Sequence, residues 1–413
     1  MLIKSDQIGS GSGATTFTGL TDTPAAYTGQ ALRRPRVNDG ATVLEFDYDG
    51  VDIINVEEAR SDIRSTTRTG YSTYNSYAGL QALVNSAGDN KVFYFPANGV
   101  FNLGGNLLKT AGHGQGFVSF GKGAEIDDGG FEIYTRRCVL QNLRLTGTST
   151  NGYGIHITEP SYSQLGTLPP ATYPHEYSTF LVAQNIEIRN KTWAIYNNTA
   201  SGLNRFFNVN TFQCTNGVYI NHSDFASDSG DWHFTMCRFT GGSVAPYTGT
   251  GAHIIKIGGL VFTDTKFQQW DIGLLLEPNA AACAIATSPP IQGTYLTGCE
   301  FEDCQTWEVK ISAGAGVAAA DYPRWTQIVG GTTHRMLLDK AVQTSIHGIL
   351  TNLALQINTG ASQVEIYGAP HIALSGAGID YIIVGNDATR GPHIRVGAQL
   401  KLYDAANPTG KVL

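Results

Sequence analysis

One phrase recurs along this chain, and its period limits what the chain can fold into. Phe207-Asn-Val-Asn-Thr-Phe212, Phe234-Thr-Met-Cys-Arg-Phe239, Phe262-Thr-Asp-Thr-Lys-Phe267 and Leu296-Thr-Gly-Cys-Glu-Phe301 begin 27, 28 and 34 residues apart. Ala183-Gln-Asn-Ile-Glu-Ile188 and Leu140-Gln-Asn-Leu-Arg-Leu145 are weaker, earlier copies. Each copy is followed by a second strand-like phrase: Gly154-Ile-His-Ile-Thr158, Ala194-Ile-Tyr-Asn197, Gly217-Val-Tyr-Ile-Asn221, His253-Ile-Ile-Lys-Ile257, Ile272-Gly-Leu-Leu-Leu276 and Glu308-Val-Lys-Ile311. Short strands and turns at a period in the twenties predict a parallel β-solenoid, in which stacked coils bury what one coil cannot. A propeller blade needs about 40 residues or more and four strands, so propellers and jelly rolls fit less well.

The repeat predicts an inward ladder of Ile188, Phe212, Phe239, Phe267 and Phe301. The preceding positions, Arg144, Glu187, Thr211, Arg238, Lys266 and Glu300, then point outward, with Lys266 beside Glu300 on the next coil. Solenoid ends expose unpaired edges. The amphipathic segment Tyr77–Val84 is a short helix placed to cap one of them. The expected division is an attachment or linker segment at 1–50, the start and cap of the solenoid at 51–137, parallel β-helix at 138–350, and last coils or a trimerisation region at 351–413.

Composition agrees with an all-β chain. Only 15% of the 413 residues are charged, against about 25% in an average soluble protein, and 49 are glycine. Thr, Asn, Tyr and Phe fill the deficit and favour strands and turns. A net charge of −7 and the lack of any basic cluster argue against nucleic acid and anionic membrane as partners. No stretch of 18 apolar residues occurs, and Met1-Leu-Ile-Lys4 lacks a secretory pattern, so synthesis in a cytoplasm and release by lysis are expected. Cys138, Cys214, Cys237, Cys283, Cys299 and Cys304 show neither CxxC nor zinc spacing. They read as reduced, buried small residues, with no metal and no cofactor expected.

The stretch Ser76 to Leu103, through Leu80, Leu83, Val92, Phe93, Phe95, Pro96 and Gly99, resembles the opening of pectate-lyase-like right-handed β-helix proteins. There, too, a short helix and a turn precede a Val-x-Phe-x-Pro strand. Arg60-Ser-Asp-Ile-Arg64 departs from the acidic, Gly-rich phrase such proteins often carry before that helix. Phe17 to Phe46, with Leu20-Thr-Asp-Thr-Pro24 and Arg36-Val-Asn-Asp-Gly40, resembles short N-terminal modules of bacteriophage tail spikes and tail fibres. Together these resemblances imply a virion protein: a right-handed parallel β-helix that assembles as a homotrimer. They further imply attachment to the phage tail or baseplate through the N-terminal segment and binding of host surface polysaccharide. Cleavage of that polysaccharide as a glycoside hydrolase stands beside two alternatives, a non-catalytic tail fibre or adhesin and a polysaccharide lyase.

Glycoside hydrolysis usually needs two carboxylates about 5–5.5 Å or 6.5–9.5 Å apart. The densest acidic loop offers Asp224, Asp228 and Asp231 as catalytic candidates, flanked by His222 and His233; equally, these acids read as turn residues. Asp264, Glu300 and Glu302, with Asp303, are the alternatives on stacked coils, about 4.8 Å apart. The insertion from Glu159 to Glu176, with His175, reads as a loop over a groove, and Asp127, Asp128 and Glu132 as a turn. Sugar rings present apolar faces and dense hydroxyls, so His222, Trp232, Tyr247 and Trp270 are the glycan-contact candidates. For Trp193 and Trp307 the bland alternative is stacking among tryptophans at a turn. No nucleophile elbow, P-loop or HExxH occurs.

Overall fold

In the computed structural model, residues 52–67, 74–121, 123–147, 152–158, 180–199, 201–221, 230–286, 289–350, 353–358 and 360–367 are described. The strands at 34–37, 44–47, 372–375, 381–384, 401–404 and 407–412 are described as backbone.

Each coil runs through three strands, and the strands stack into three faces. On the first face Phe93, Phe117, Leu140, Ala183, Phe206, Phe234, Phe262, Leu296, Ile328, Ile346 and Ile366 lie in register on successive parallel strands. The second face stacks Phe101, Ile126, Leu145, Ile188, Thr211, Phe239, Phe267 and Phe301. The third is an 11-stranded parallel sheet from Leu107–Lys109 to Ile372–Ser375. These inward columns form one hydrophobic core, a right-handed parallel β-helix, in keeping with the strong right-handed bias of parallel crossovers. Rings within the columns stack face to face: Phe206 on Phe234 at 4.6 Å, Phe234 on Phe262 at 4.8 Å and Phe267 on Phe301 at 5.0 Å.

The expected ladder holds except at one coil. Thr211, not Phe212, stands between Ile188 and Phe239, and Phe206, not Phe207, pairs with Phe234. Phe206 is buried and Phe207 is 41% exposed. Shifting by one residue along a strand turns every side chain to the opposite face. Thr211 fits the core because its hydroxyl accepts from Thr240 N at 3.0 Å and lies 3.3 Å from Thr240 O. The outward ladder therefore passes through Asn210: Arg144, Glu187, Asn210, Arg238, Lys266 and Glu300. Lys266 Nζ meets Glu300 Oε2 at 3.5 Å and Glu302 Oε1 at 2.7 Å.

The helix spans Tyr77–Ala87 and buries Leu80 and Val84 against the core. It also completes the edge of the third face. The Gln81 carboxamide donates to Lys109 O at 3.0 Å and accepts from Lys109 N at 2.8 Å, as a neighbouring strand would. Besides the one-turn helix Val56–Ala59, a further short helix, Ala280–Ile285, follows the third-face strand Ile272–Leu276. Its start is capped by Asn279 Oδ1, which accepts from Ala282 N at 2.8 Å; the sequence reading had assigned helix only to 77–84. No helix among the described residues is long and apolar enough to cross a membrane. All six cysteines are free thiols, and Cys283 alone is not buried. Burial pushes the thiol of Cys214 up to about 11 and that of Cys299 up to about 12.

Candidate functional site

The third face carries a ring cluster on its outer side. In strands such as Tyr153–Ile157, Trp193–Asn197 and Asn216–Asn221 the isoleucines and valines point inward, so the residue between them points out. This places His156, Tyr196, Tyr219 and His253 in one outward column on consecutive coils, with Glu132 and Lys109 preceding them. Tyr153 and Trp193 form a parallel column beside it. The rings touch throughout: Tyr153 and His156 at 4.6 Å, Tyr153 and Tyr196 at 4.9 Å, Trp193 and Tyr219 at 5.2 Å, Tyr219 and His253 at 5.7 Å. Every ring is half-buried, and the Nε2 atoms of His156 and His253 are buried.

Charge sits at both ends of this strip. At one, Glu132 lies 3.1 Å from Lys109 Nζ and 3.5 Å from His156 Nδ1. Burial opposes ionisation of Glu132, but contacts from His156 and Lys109 outweigh it and hold the carboxyl below the usual carboxylate range. At the other, Glu277 accepts from Ser312 Oγ at 2.8 Å and lies 3.8 Å from Lys310 Nζ and 4.0 Å from His253 Nε2. Burial pushes His253 below the usual imidazole range, against the pull of Glu277. Tyr196 and Tyr219 are both raised by burial and so remain neutral hydrogen-bonding phenols. Glu132 and Glu277 are about five coils apart, roughly 24 Å at 4.8 Å per coil, and do not form a catalytic pair.

The expected glycan contacts fare unevenly. Trp232 and Trp270 are fully buried, which is a correction. Trp232 occupies an inward position, and its Nε1 donates to Ser201 O at 3.0 Å, while Trp270 donates to Phe239 O at 2.9 Å. Neither indole has a face left for a ligand. Trp193 and Trp307 do not stack together either: both lie in one third-face column, but with the strands of Asn216, Thr250 and Ile272 between them. Tyr247 is half-buried, three residues before the strand Thr250–Lys256 that carries His253. His222, Asp224 and Asp228, and the insertion from 159 to 176, lie outside the described residues; the strands ending at Ile157 and Asn221 lead into these segments.

Nor do the remaining acids converge. Asp231 is exposed at the start of the first-face strand Asp231–Thr235. Asp264 stands in a left-handed turn, φ 47°, five residues beyond Gly259, the register partner of Asp231. That separation is about 16 Å along the strand. Glu300 and Glu302 lie on the second face, sharing Lys266. Elsewhere on that face Glu125 Oε1 and Asp127 Oδ1 meet the Thr146 hydroxyl at 3.2 and 3.0 Å. Both carboxylates are buried, and Glu125 also pairs with Arg144, so they read as an enclosed polar network. Among the described residues no group of three or more His, Cys, Asp and Glu is arranged to hold a metal ion.

The aromatic strip has a signal in the sequence. It is the middle residue of each second phrase: His in Ile-His-Ile, Tyr in Ile-Tyr-Asn, Tyr in Val-Tyr-Ile.

No family model matches this sequence, and no curated protein does. Solved structures do resemble it. A tailspike protein variant of E. coli bacteriophage HK620 aligns over 91% of this chain and 71% of its own, with 10% identity and a TM-score of 0.52. Tailspike protein 3 of bacteriophage CBA120 aligns over 94% and 72%, with 11% identity and a TM-score of 0.37. The A-module of the Azotobacter vinelandii mannuronan C-5 epimerase AlgE4 aligns over 86% and 100%, with 12% identity and a TM-score of 0.40. In fold, then, this chain is a right-handed parallel β-helix of the kind that phage tail-spike proteins have.

Proposed function

We propose that the protein is a phage tail spike that holds host surface polysaccharide on the outer side of its third face. The observation that carries this reading is the continuous strip of half-buried rings Tyr153, His156, Trp193, Tyr196, Tyr219 and His253, with a charged residue at each end. Rigid aromatic rings take the apolar faces of sugar rings, and the phenol and carboxylate groups take their hydroxyls. Successive rings follow the coil repeat of about 4.8 Å, close to the length of one pyranose, so the strip suits a chain rather than a single sugar. Titration of purified protein with bacterial surface polysaccharides tests this directly. Binding weakened about tenfold in Tyr196→Ala and in Tyr219→Ala supports it; binding unchanged in both overturns it.

Cleavage is the second reading. Asp224 and Asp228 follow in sequence directly after the strand that carries Tyr219, and in this reading they act with Asp231 as the acid and base on polysaccharide held by the strip. Following chain length and reducing ends tests it. Discrete products that vanish in Asp228→Asn support a hydrolase, and an unshortened polymer that still binds leaves an adhesin.

In the same reading three copies pack side by side through their first faces. The two central outward columns there, Val92 to Glu365 and Tyr94 to Tyr367, contain two Lys, Arg, Asp or Glu, namely Arg205 and Glu365 at the far end. Phe207, Tyr295 and Val329 are exposed on it, with Trp325 and Met236 at its margins. A neutral, partly apolar sheet face of this length suits burial against its own kind. The N-terminal segment would then join the assembly to the phage tail.

A further inference from the structure

At the turn between the first and second faces, three consecutive coils place an asparagine in the left-handed region: Asn142, Asn185 and Asn208, with φ of 54°, 54° and 52°. Their side chains form a ladder. Asn185 Nδ2 donates to Asn142 Oδ1 at 2.9 Å, and Asn208 Nδ2 donates to Asn185 Oδ1 at 2.9 Å. Asn210 Nδ2 closes one end on Asn208 Oδ1 at 3.0 Å, and Asn142 Nδ2 closes the other on Ser119 O at 3.0 Å. A carboxamide nitrogen carries two hydrogens. The ladder consumes one from each nitrogen of Asn142, Asn185 and Asn208 and leaves the second for a further acceptor, while Asn210 Nδ2 also lies 3.5 Å from Asn208 O.

Beside this ladder runs a groove of about 460 Å³, bounded also by Gly121, Gly123, Arg144 and Glu187. Its floor depends on Gly123, whose φ is 79° and where a Cβ would come within 2.5 Å of Asn142 O. Among the described residues the groove's charges are already matched. Arg144 bridges Glu125, at 3.4 Å, and Glu187, and Arg189 Nε adds a contact of 2.7 Å to Glu187. An anionic ligand would have to displace Glu187 from both guanidinium groups. An apolar ligand would find no aromatic wall, and a metal ion would find one carboxylate. What the lining does offer is a row of amide donors beside the Glu187 carboxylate, which is the complement of a sugar's hydroxyls.

We propose that this groove is a second saccharide site, taking a neutral, hydroxyl-rich segment, on a different face from the aromatic strip. It rests on the saccharide-binding reading above and extends it: one chain holds the polymer at two places. A spike with two sites gains avidity from one long polysaccharide without needing either site to be strong.

The test uses the full-length protein. A bacterial glycan array selects a neutral oligosaccharide, which is then titrated calorimetrically into wild type, Tyr219→Ala, Asn210→Trp and the double variant. Asn210→Trp fills the groove, and Asn210→Leu, folded by thermal melt, serves as the milder change. Two sites per chain are expected in wild type; Tyr219→Ala should weaken one about tenfold, Asn210→Trp should remove the other, and the double variant should keep only the weakened one. Asn210→Leu should weaken the groove site roughly tenfold, the worth of a lost hydrogen bond. One site per chain in wild type, weakened in Tyr219→Ala and unchanged in Asn210→Trp, overturns the groove site and keeps the strip. Two sites that survive Asn210→Trp overturn it as well. No binding by wild type to any glycan on the array overturns both readings.

Discussion

Tyr196 and Tyr219 lie ring over ring on neighbouring coils, 4.7 Å apart and 9° from parallel. Parallel β-stacking fixes that spacing, so the pair is as rigid as the sheet beneath it. A platform already in its bound geometry spends little conformational entropy when a sugar settles on it.

Removing one member should therefore cost binding more than folding. Tyr219→Ala is expected to weaken polysaccharide binding about tenfold, near 1–1.5 kcal/mol for one aromatic contact. Tyr219→Phe keeps the ring and should lose less. Calorimetric titration of the three proteins, with thermal melts as the control for folding, distinguishes a contact residue from a structural one.

Phe206 and Phe207 make the sharpest contrast on adjacent positions. Phe206 stacks on Trp232 and Phe234 of the next coil, inside the core, and Phe207 points outward. Phe206→Ala should cost about 3–5 kcal/mol in urea unfolding, as for other buried phenylalanines. Phe207→Ser should stay within about 0.5 kcal/mol in the single chain. Equal costs would mean that the register described here is wrong.

The same pair shows what was legible beforehand. The period, the parallel stacking and most inward positions could be read because Phe, Ile and Leu return at one place per coil. The slip at Phe212 arose because Phe206-Phe207 and Thr211-Phe212 satisfy the pattern in either of two registers, and only strand pairing chooses between them. Trp232 was misjudged for the same reason. Its neighbourhood of Gly, Ser and Asp suggested an exposed loop, yet it is the second residue of a strand and its parity is inward. The strip of Tyr153, Trp193, Tyr196 and Tyr219 is hard to see in sequence because its members on successive coils are 23 to 43 residues apart and meet only when the coils stack.

The cap can be tested at Gln81. Its carboxamide satisfies both backbone groups of Lys109 on the first strand of the third face. Gln81→Ala leaves that N–H and C=O to water and should cost about 1–3 kcal/mol. Faster amide exchange at Lys109, before any change deep in the coils, is the specific sign. Exchange unchanged at Lys109 would show that the helix caps by burial of Leu80 and Val84 alone.

Acid should loosen the third face in two stages. His253 is held neutral by burial, below its ordinary 6.5, with Glu277 and Lys310 pulling in opposite directions. The unfolded chain takes up that proton first, so stability is full above pH 6.5 and declines as pH falls below it. Glu132, held below its ordinary 4.5, contributes stability that is present above that value and is lost as pH falls further. Melting temperature should accordingly drop between pH 7 and 5 and again below about 4.5. His253→Phe should flatten the first step and leave the second. A first step that persists in this variant would assign it to another histidine.

The first face yields the strongest prediction about assembly. Its outward columns place Phe207, Tyr295 and Val329 where neighbouring chains would meet, with almost no charge to keep them apart. A single glutamate in such a contact brings one buried carboxylate per chain into a shared, poorly hydrated space, which costs several kcal/mol. Phe207→Glu combined with Val329→Glu should therefore give a single-chain species by light scattering while leaving the circular dichroism of the coils unchanged. Wild type should give three times that mass. An unchanged mass in the double variant would move the contact to another face. A single-chain wild type would leave the first face simply exposed, and the reading of three packed coils would fall with it.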